Sequence, residues 1–392
     1  MNEQLVVKNF GPIKDATVDF KRVTVFIGPT GGGKSTLAKL AGVMRDSNWL
    51  DEVDFTLKRV KFTDELNHYQ IGTYIKNQGA LSWNSKHDDI YYDGNLFEHN
   101  HADKNSAFEI GLEIFSRKAK EVNSLDLEKI FRASTDAERV ILSKMHGFRE
   151  DVHYIPADRS FASSIEHGLA GLNLENVALP ETLLDFINDY LRAVSKLPLT
   201  SLDIPFLGVK YQIVDGEPKI LLKDNIEVDL IETASGIQAV APMLLLIREV
   251  TRRLPSNSIP KLFIIEEPEL NLYPTAQQGL LNWLVEKCTK GENDLTITTH
   301  SPYILSSCNL LLEAYKVAQQ RPELADEIDK VVPRACWLNP EEFAAYYVAD
   351  GTVKPITDTR TNLIGSNELD AISGDISDSF RKLLRLQKQQ AV

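Results

Sequence analysis

Cysteine is scarce in this 392-residue chain: Cys288, Cys308 and Cys336 are the only three, widely spaced and without a CxxC pair. That excludes a disulfide framework and a cysteine-based zinc site, and it points to a reducing compartment. Basic charge is in deficit, 43 Lys and Arg against 56 Asp and Glu for a net charge of −13. The chain is therefore not coated for nucleic acid, although net charge constrains nonspecific association rather than a local basic patch. Long apolar runs are missing. The longest, Ala239 to Ile247, contains Pro242 and ends at Arg248, far short of the roughly 20 residues of a membrane span. The start, Met-Asn-Glu-Gln, has no basic segment leading into an apolar one, so no secretory signal is expected and the expected location is cytoplasmic. No long heptad arms are present. The 43% hydrophobic and 25% charged fractions are ordinary for a folded chain and exclude wholesale disorder.

What is present is concentrated at residues 23–37. A β-branched run, Val-Thr-Val-Phe-Ile, enters Gly-Pro-Thr-Gly-Gly-Gly-Lys-Ser-Thr-Leu, so Gly28, Gly33, Lys34 and Ser35 satisfy the phosphate-loop spacing G-x-x-x-x-G-K-[ST] between a strand and a helix. Without Cβ atoms the glycines let backbone N–H groups curl around an anion, and the helix that follows offers its positive end to the same place. The expected ligand is ATP, with Gly28, Pro29, Thr30, Gly31, Gly32, Gly33, Lys34, Ser35 and Thr36 around its phosphates. Lys34 is expected to reach the β- and γ-phosphates, and Ser35 to ligate Mg²⁺.

Before this loop, residues 4–10 and 16–20 read as two strands about the Gly11-Pro12 turn; after it, Leu37, Leu40, Ala41 and Met44 line one helix face. Residues 48–149 are more polar and aromatic and read as an insertion, with a hairpin around Leu81–Tyr92 and a helix through Leu125–Met145. Gln70 and Gln78 are candidates for a glutamine sensing Mg²⁺ and the γ-phosphate, but neither follows a clear strand, and a surface role is expected. Glu98, His99 and His101 lack a second ligand cluster, so an exposed loop is expected there rather than a metal site. Residues 152–160 look like a strand running into a polar turn, where Asp158 and Arg159 either face the ligand or form a structural ion pair. Pro180 to Ser195 reads as a helix burying Leu183, Leu184, Ile187, Tyr190, Leu191 and Val194. Another hairpin is expected around Asp215-Gly216.

Three further stretches complete the chemistry. Glu-Thr-Ala-Ser-Gly-Ile-Gln (232–238) precedes an apolar helix, placing Ser235 and Gly236 at a second anion-attracting helix end. Leu-Phe-Ile-Ile-Glu-Glu-Pro-Glu (262–269) is a buried strand ending in paired carboxylates, a Walker B arrangement. There Glu266 is expected to hold the Mg²⁺ shell and Glu267 to orient and deprotonate the attacking water. The usual first acid is Asp, so the longer Glu266 suits contact through a metal-bound water. Leu295–Thr299 reads as the next strand and delivers His300 into Thr-Thr-His-Ser-Pro. Residues 341–356 look like a strand pair around Asp350-Gly351, and 369–384 an amphipathic helix with a basic rim.

Asn-Phe-Gly-Pro-Ile (9–13), the phosphate loop, Ile-Pro-Ala-Asp-Arg-Ser (155–160), Ala-Ser-Gly-Ile-Gln (234–238), Ile-Ile-Glu-Glu-Pro-Glu-Leu-Asn-Leu-Tyr-Pro (264–274) and Thr-Thr-His-Ser-Pro (298–302) together resemble the OLD-type AAA ATPases, relatives of the SMC and RecF group. The resemblance spans residues 1 to about 310. It implies an α/β fold, an ABC-type P-loop NTPase head whose mixed sheet is flanked by helices, with inserted mixed α/β and helical segments. The expected parts are a head in two pieces, 1–47 and 150–310, the insertion 48–149, a helical insert at about 176–200 and an extension 311–392. It also implies a homodimer closed around ATP. In that dimer Ser235, Gly236 and Gln238 form a signature-like motif reaching the other subunit's phosphate loop, and His300 is the switch histidine at the γ-phosphate. Many such relatives act in bacterial defence or toxin–antitoxin-like systems. OLD nucleases add a Toprim metal site, and no convincing DxD follows His300, so intrinsic nuclease activity is not expected. The leading expectation is an ATPase regulating a separate effector in antiphage defence. A RecF- or SMC-like DNA repair ATPase and an ATP-binding scaffold with negligible turnover are the alternatives.

Overall fold

The computed structural model describes residues 3–50, 55–85, 88–101, 114, 116–122, 133–135, 138, 151–165, 179–195, 201–214, 217–223, 225–252 and 260–365. The chain begins with β1 (Glu3–Phe10) and β2 (Ile13–Phe20), an antiparallel pair with Phe10 opposite Ile13. From Ala16 on, period-two alternation sets the faces of β2, burying Ala16, Val18 and Phe20 and turning Thr17 and Asp19 outward. β3 (Val23–Ile27) is buried at every residue, as a strand covered on both faces must be. It leads through the glycine loop into α1 (Lys34–Arg45).

The next segment supplies α2 (Phe55–His68), β4 (Ile75–Asn84), β5 (Asp88–Tyr92) and β6 (Phe97–His101). Then come β7 (Asp151–Ile155), α3 (Glu181–Ser195) and four short strands, β8 (Leu202–Ile204), β9 (Val209–Val214), β10 (Glu217–Leu221) and β11 (Glu227–Asp229). The last third holds α4 (Ser235–Arg252), β12 (Lys261–Glu266), α5 (Pro274–Cys288), β13 (Asp294–Thr299), α6 (Pro302–Gln320), β14 (Phe343–Ala349) and β15 (Thr352–Pro355). None of the described helices is long and apolar enough to cross a membrane.

Eleven strands form one sheet in the order β6-β5-β4-β1-β2-β15-β14-β3-β13-β12-β7. Its centre, β14-β3-β13-β12-β7, is parallel throughout, and the β6-β5-β4-β1-β2 wing is antiparallel. Strand parity assigns the two cores. Phe26, Leu262 and Ile264 pack on one face with Leu37, Leu40, Ala41 and Met44 of α1. Val25, Ile27, Phe263, Ile265 and Ile297 pack on the other with Leu183 of α3, Leu244 of α4, Leu280 of α5 and Ile304 of α6. The α/β architecture of a mixed sheet flanked by helices is therefore present. The four short strands form a separate sheet, β11-β10-β9-β8.

Several expectations change. The boundary at residue 310 does not separate an extension from the head, because β14 lies between β3 and β15 and pairs in parallel with the phosphate-loop strand, Phe343 beside Val23 and Tyr347 beside Ile27. The insertion joins the same sheet through β4 on β1. His99 is not on an exposed loop: it sits in β6 with its ring buried, Nε2 2.8 Å from Asp88 Oδ1, Nδ1 3.0 Å from Lys58 Nζ, and Trp49 edge-on to it. α3 buries Thr182, Leu183, Phe186, Ile187, Tyr190 and Ala193, so its apolar face is rotated from the expected one and leaves Leu184, Leu191 and Val194 half-buried. The expected helix through Leu125–Met145 lies outside the described residues except at 133–135 and 138, and the 369–384 helix and the Asp215-Gly216 turn lie outside them altogether.

Two predictions follow from this arrangement. Deleting residues 343–355 strips a neighbour from β3, and the expected result is loss of the cooperative thermal transition followed by far-UV circular dichroism. The second concerns the α2–α3 contact, where His68 meets Glu181 at 3.0 Å and Asp185 at 3.1 Å. The Asp185 hydrogen bond raises the His68 pKa from 6.5 to about 9. Its stabilisation is fully present below about pH 6.5 and is lost as pH rises through about 9. Both carboxylates are exposed, so the effect is at most about 1 kcal/mol. The thermal midpoints of wild type and His68→Gln should differ at pH 6.5 and converge by about pH 10.

Candidate functional site

The parallel strands deliver the candidate residues to one end of the sheet. Register places Ile27 beside Thr299, and Glu266 beside Thr298, which in turn lies beside Phe26. Beyond Ile27 the loop turns on glycines with positive φ: 151° at Gly28, 77° at Gly31 and 104° at Gly33. Gly28, Gly32 and Gly33 are buried, while Pro29, Thr30 and Gly31 form an exposed rim. The inner wall of the loop is β14. A Cβ on Gly28 would lie 2.2 Å from the Val348 carbonyl oxygen, and one on Gly32 would lie 2.5 Å from it. Gly33 caps α1 without a side-chain hydrogen bond, and no acid occupies the first turn, which leaves a helix end suited to an anion. Thr36 is buried and Ser35 half-buried.

Lys34 is folded back onto its own loop. Nζ donates to the carbonyls of Gly28 and Pro29, each at 3.0 Å, and lies 3.1 Å from His300 Nε2. The same His300 nitrogen is 3.1 Å from Glu267 Oε1. Lys34, His300 and Glu267 are thus brought together. Burial lowers the Lys34 pKa, opposed by the charges of Glu267, Glu269 and Glu266. A single imidazole nitrogen cannot accept from the ammonium and donate to the carboxylate at once, so the triad has two alternative hydrogen-bond states.

Glu266 and Glu267 diverge. Glu266 has the parity of Leu262 and Ile264, so its side chain lies on the α1 face. There its Oε1 and the Thr298 hydroxyl are both buried without a hydrogen-bond partner. The Tyr154 hydroxyl is buried nearby, and burial followed by the Glu266 charge keeps that phenol well above its ordinary pKa. Orphaned buried oxygens of this kind fit a hydrated cation. Glu267 adopts φ 42°, a left-handed conformation that costs a non-glycine residue about 1–2 kcal/mol. Its amide is held by the Thr298 carbonyl at 2.8 Å.

Two residues outside the expected ligand and metal set prove central. Glu269 is buried and accepts from the Thr299 hydroxyl at 2.5 Å and from the His300 amide at 3.0 Å, so it ties the β12 exit to the β13 exit. The signal was its place as the third acid in Glu-Glu-Pro-Glu. Arg159 neither faces the ligand nor pairs with Asp158. Asp158 is exposed, whereas Arg159 is 0% exposed and donates to the carbonyls of Ala239, Pro156, Glu266, Glu267 and Pro268 at 3.0, 3.2, 2.7, 2.8 and 3.1 Å. Burial lowers its pKa to about 10 against the opposing charge of Glu269, so it stays protonated at neutral pH.

The signature-like residues separate. Ser235 is exposed at the start of α4. Gly236 is buried, and a Cβ there would meet the Asn271 carbonyl at 2.7 Å. Gln238 is half-buried, its amide donating to the Ile231 and Thr233 carbonyls at 2.7 Å each. Gln70 lies just past α2 and Gln78 within β4, both exposed with positive φ.

Residues 199–305 match the family AAA_15, described as an AAA ATPase domain; the matched stretch holds Ser235, Glu266, Glu267 and His300. The chain thus contains an ATPase domain, and no curated protein matches it. Among solved structures, the SMC head domain from Thermotoga maritima is 10% identical, with 91% of this chain and 98% of that chain covered and a TM-score of 0.39. The Smc head domain with an extended coiled coil bound to the C-terminal domain of ScpA, from Pyrococcus furiosus, is 12% identical, with coverages of 96% and 98% and a TM-score of 0.38. An ATP-binding cassette of an ABC transporter in its ADP conformation is 12% identical, with coverages of 90% and 90% and a TM-score of 0.32.

The loop geometry predicts an order of tolerance. Gly28→Ala drives a methyl into backbone and should lower stability to urea by about 1–3 kcal/mol. At Gly31 nothing lies within 4 Å of the added methyl, so Gly31→Ala should lose only the left-handed strain, about 1 kcal/mol.

Proposed function

We propose that the chain is an ABC-like ATPase that binds and hydrolyses ATP with Mg²⁺ and closes as a homodimer around the nucleotide, thereby regulating a separate effector protein in antiphage defence. The observation that carries the ATPase reading is the convergence of Lys34, Glu267 and His300 at the mouth of a glycine loop on a helix N-terminus. As the polyphosphate enters, its oxygens take the place of the Gly28 and Pro29 carbonyls as partners of Lys34. Loop and α1 amides then cradle the phosphates. Ser35 and Glu266 would hold Mg²⁺, and the orphaned Glu266 Oε1 supports that assignment. Mg²⁺, when bound, neutralises charge on the phosphate oxygens.

Glu267 orients the attacking water and accepts its proton as the bond to the γ-phosphorus forms and the bond to the β-phosphate oxygen breaks. His300 shares Glu267 and Lys34 before nucleotide arrives, and once Lys34 moves to phosphate its Nε2 is released toward the γ-phosphate. Ser235, exposed at the α4 N-terminus, would meet the phosphates bound by another copy. The dimer, the effector and the defence role rest on the resemblance of the assembled motifs to OLD-type ATPases.

Lys34→Ala should abolish ATP binding. Glu267→Gln should retain ATP and accumulate as a dimer in gel filtration with Mg-ATP. Loss of binding in Glu267→Gln, or wild-type rates of hydrolysis in that variant, would overturn the assignment. Co-purification with the products of adjacent genes tests the effector, and a chain that protects cells entirely alone counts against one.

A further inference from the structure

Arg159 presents an unusual balance of donors and acceptors. A guanidinium has five N–H donors in a fixed fork, and here each meets a backbone carbonyl: Nε meets Ala239, Nη1 meets Pro156 and Glu266, and Nη2 meets Glu267 and Pro268. Three of the five belong to consecutive residues of the turn that leaves β12. That turn contains Glu267, whose backbone is held at φ 42°. A fourth, Ala239, lies in the second turn of α4, the helix that begins at Ser235. Neutralising charge comes from Glu269, Glu267, Glu266 and Asp158 nearby, without a direct ion pair.

From this geometry we infer that Arg159 is the positioning residue that holds the Glu267 backbone in its productive conformation and couples that turn rigidly to the α4 end carrying Ser235. The inference rests on the ATPase reading above. Every hydrogen bond of Arg159 is to backbone, so it places the turn whatever side chains the turn carries. None of its five partners lies in the phosphate loop, and it holds Glu266 only through that residue's carbonyl, so Lys34 and the loop amides do not depend on it. A lysine offers three donors for five carbonyls and cannot reproduce the fork.

The test compares the full-length wild type with Arg159→Lys and Arg159→Met, with Glu267→Gln as the hydrolysis-defective control. Mg-ATP turnover, affinity for a fluorescent ATP analogue and the thermal midpoint are read on each. A misplaced general base with intact substrate binding should lower kcat of Arg159→Lys by about 100-fold while KM and analogue affinity stay within about threefold. Arg159→Met should fall at least as far. In the Glu267→Gln background, Arg159→Lys should cause no further loss, because the acid it places is gone. Turnover within a few-fold of wild type in Arg159→Lys overturns the inference alone. So does parallel loss of ATP affinity or of the cooperative melt, since Arg159 would then hold the fold rather than the acid. A wild-type chain that binds ATP but turns none over overturns the ATPase reading, and the positioning role falls with it.

Discussion

Parallel pairing of β3, β13 and β12 is the constraint on which the site depends. Each strand carries one local motif past its end, and in-register pairing makes three remote segments neighbours: Ile27 beside Thr299, Thr298 beside Glu266. The phosphate loop is more than 200 residues of chain away from Glu267 and His300, yet the strand register alone brings them together. β12 is buried from Leu262 to Glu266, and β13 from Leu295 to Thr299, so a shift of one residue would move every side chain to the opposite core. Hydrophobic burial on two faces therefore fixes the geometry of charged groups that have no hydrophobic reason to meet.

The charged groups are stabilised in a second way, by backbone and side-chain hydrogen bonds that span motifs. Glu269 joins the exits of β12 and β13, and Arg159 joins the β12 exit to α4. Lys34 is held by carbonyls of its own loop. A buried charge without such partners would be strongly destabilising. At the ends of β12 and β13, Glu266 Oε1, Glu269 Oε2 and Thr298 Oγ1 are buried without such a partner.

Much was legible in the linear sequence because the elements concerned are local. The alternation in β2, the uninterrupted apolar run of β12 and the glycine spacing of residues 28–33 are each encoded within a few residues, and so were the strand-end positions of Glu266, Glu267 and His300. His99 reads as a loop residue in sequence because a polar Glu-His-Asn-His run looks like loop chemistry. Its burial comes from Asp88 on the paired strand β5 and from Trp49 and Lys58, which are distant in sequence. The α3 face was misplaced for a related reason: periodicity identifies a stripe, but its centre is set by what the stripe packs on.

The sequence by itself determined the phosphate loop, the acidic strand end, the histidine after the next strand and an α/β order of elements, because each depends on near-neighbour periodicity and on backbone freedom at glycine. Only the tertiary structure decided that β14 is the wall behind Gly28 and Gly32, that Gln238 is half-buried while Ser235 stays exposed, and that Arg159 is a buried strut rather than a ligand-facing charge. Those outcomes depend on which backbone carbonyls and strand edges come together in space. Carbonyls are the same at every residue, so no local pattern of side chains announces where they will be needed.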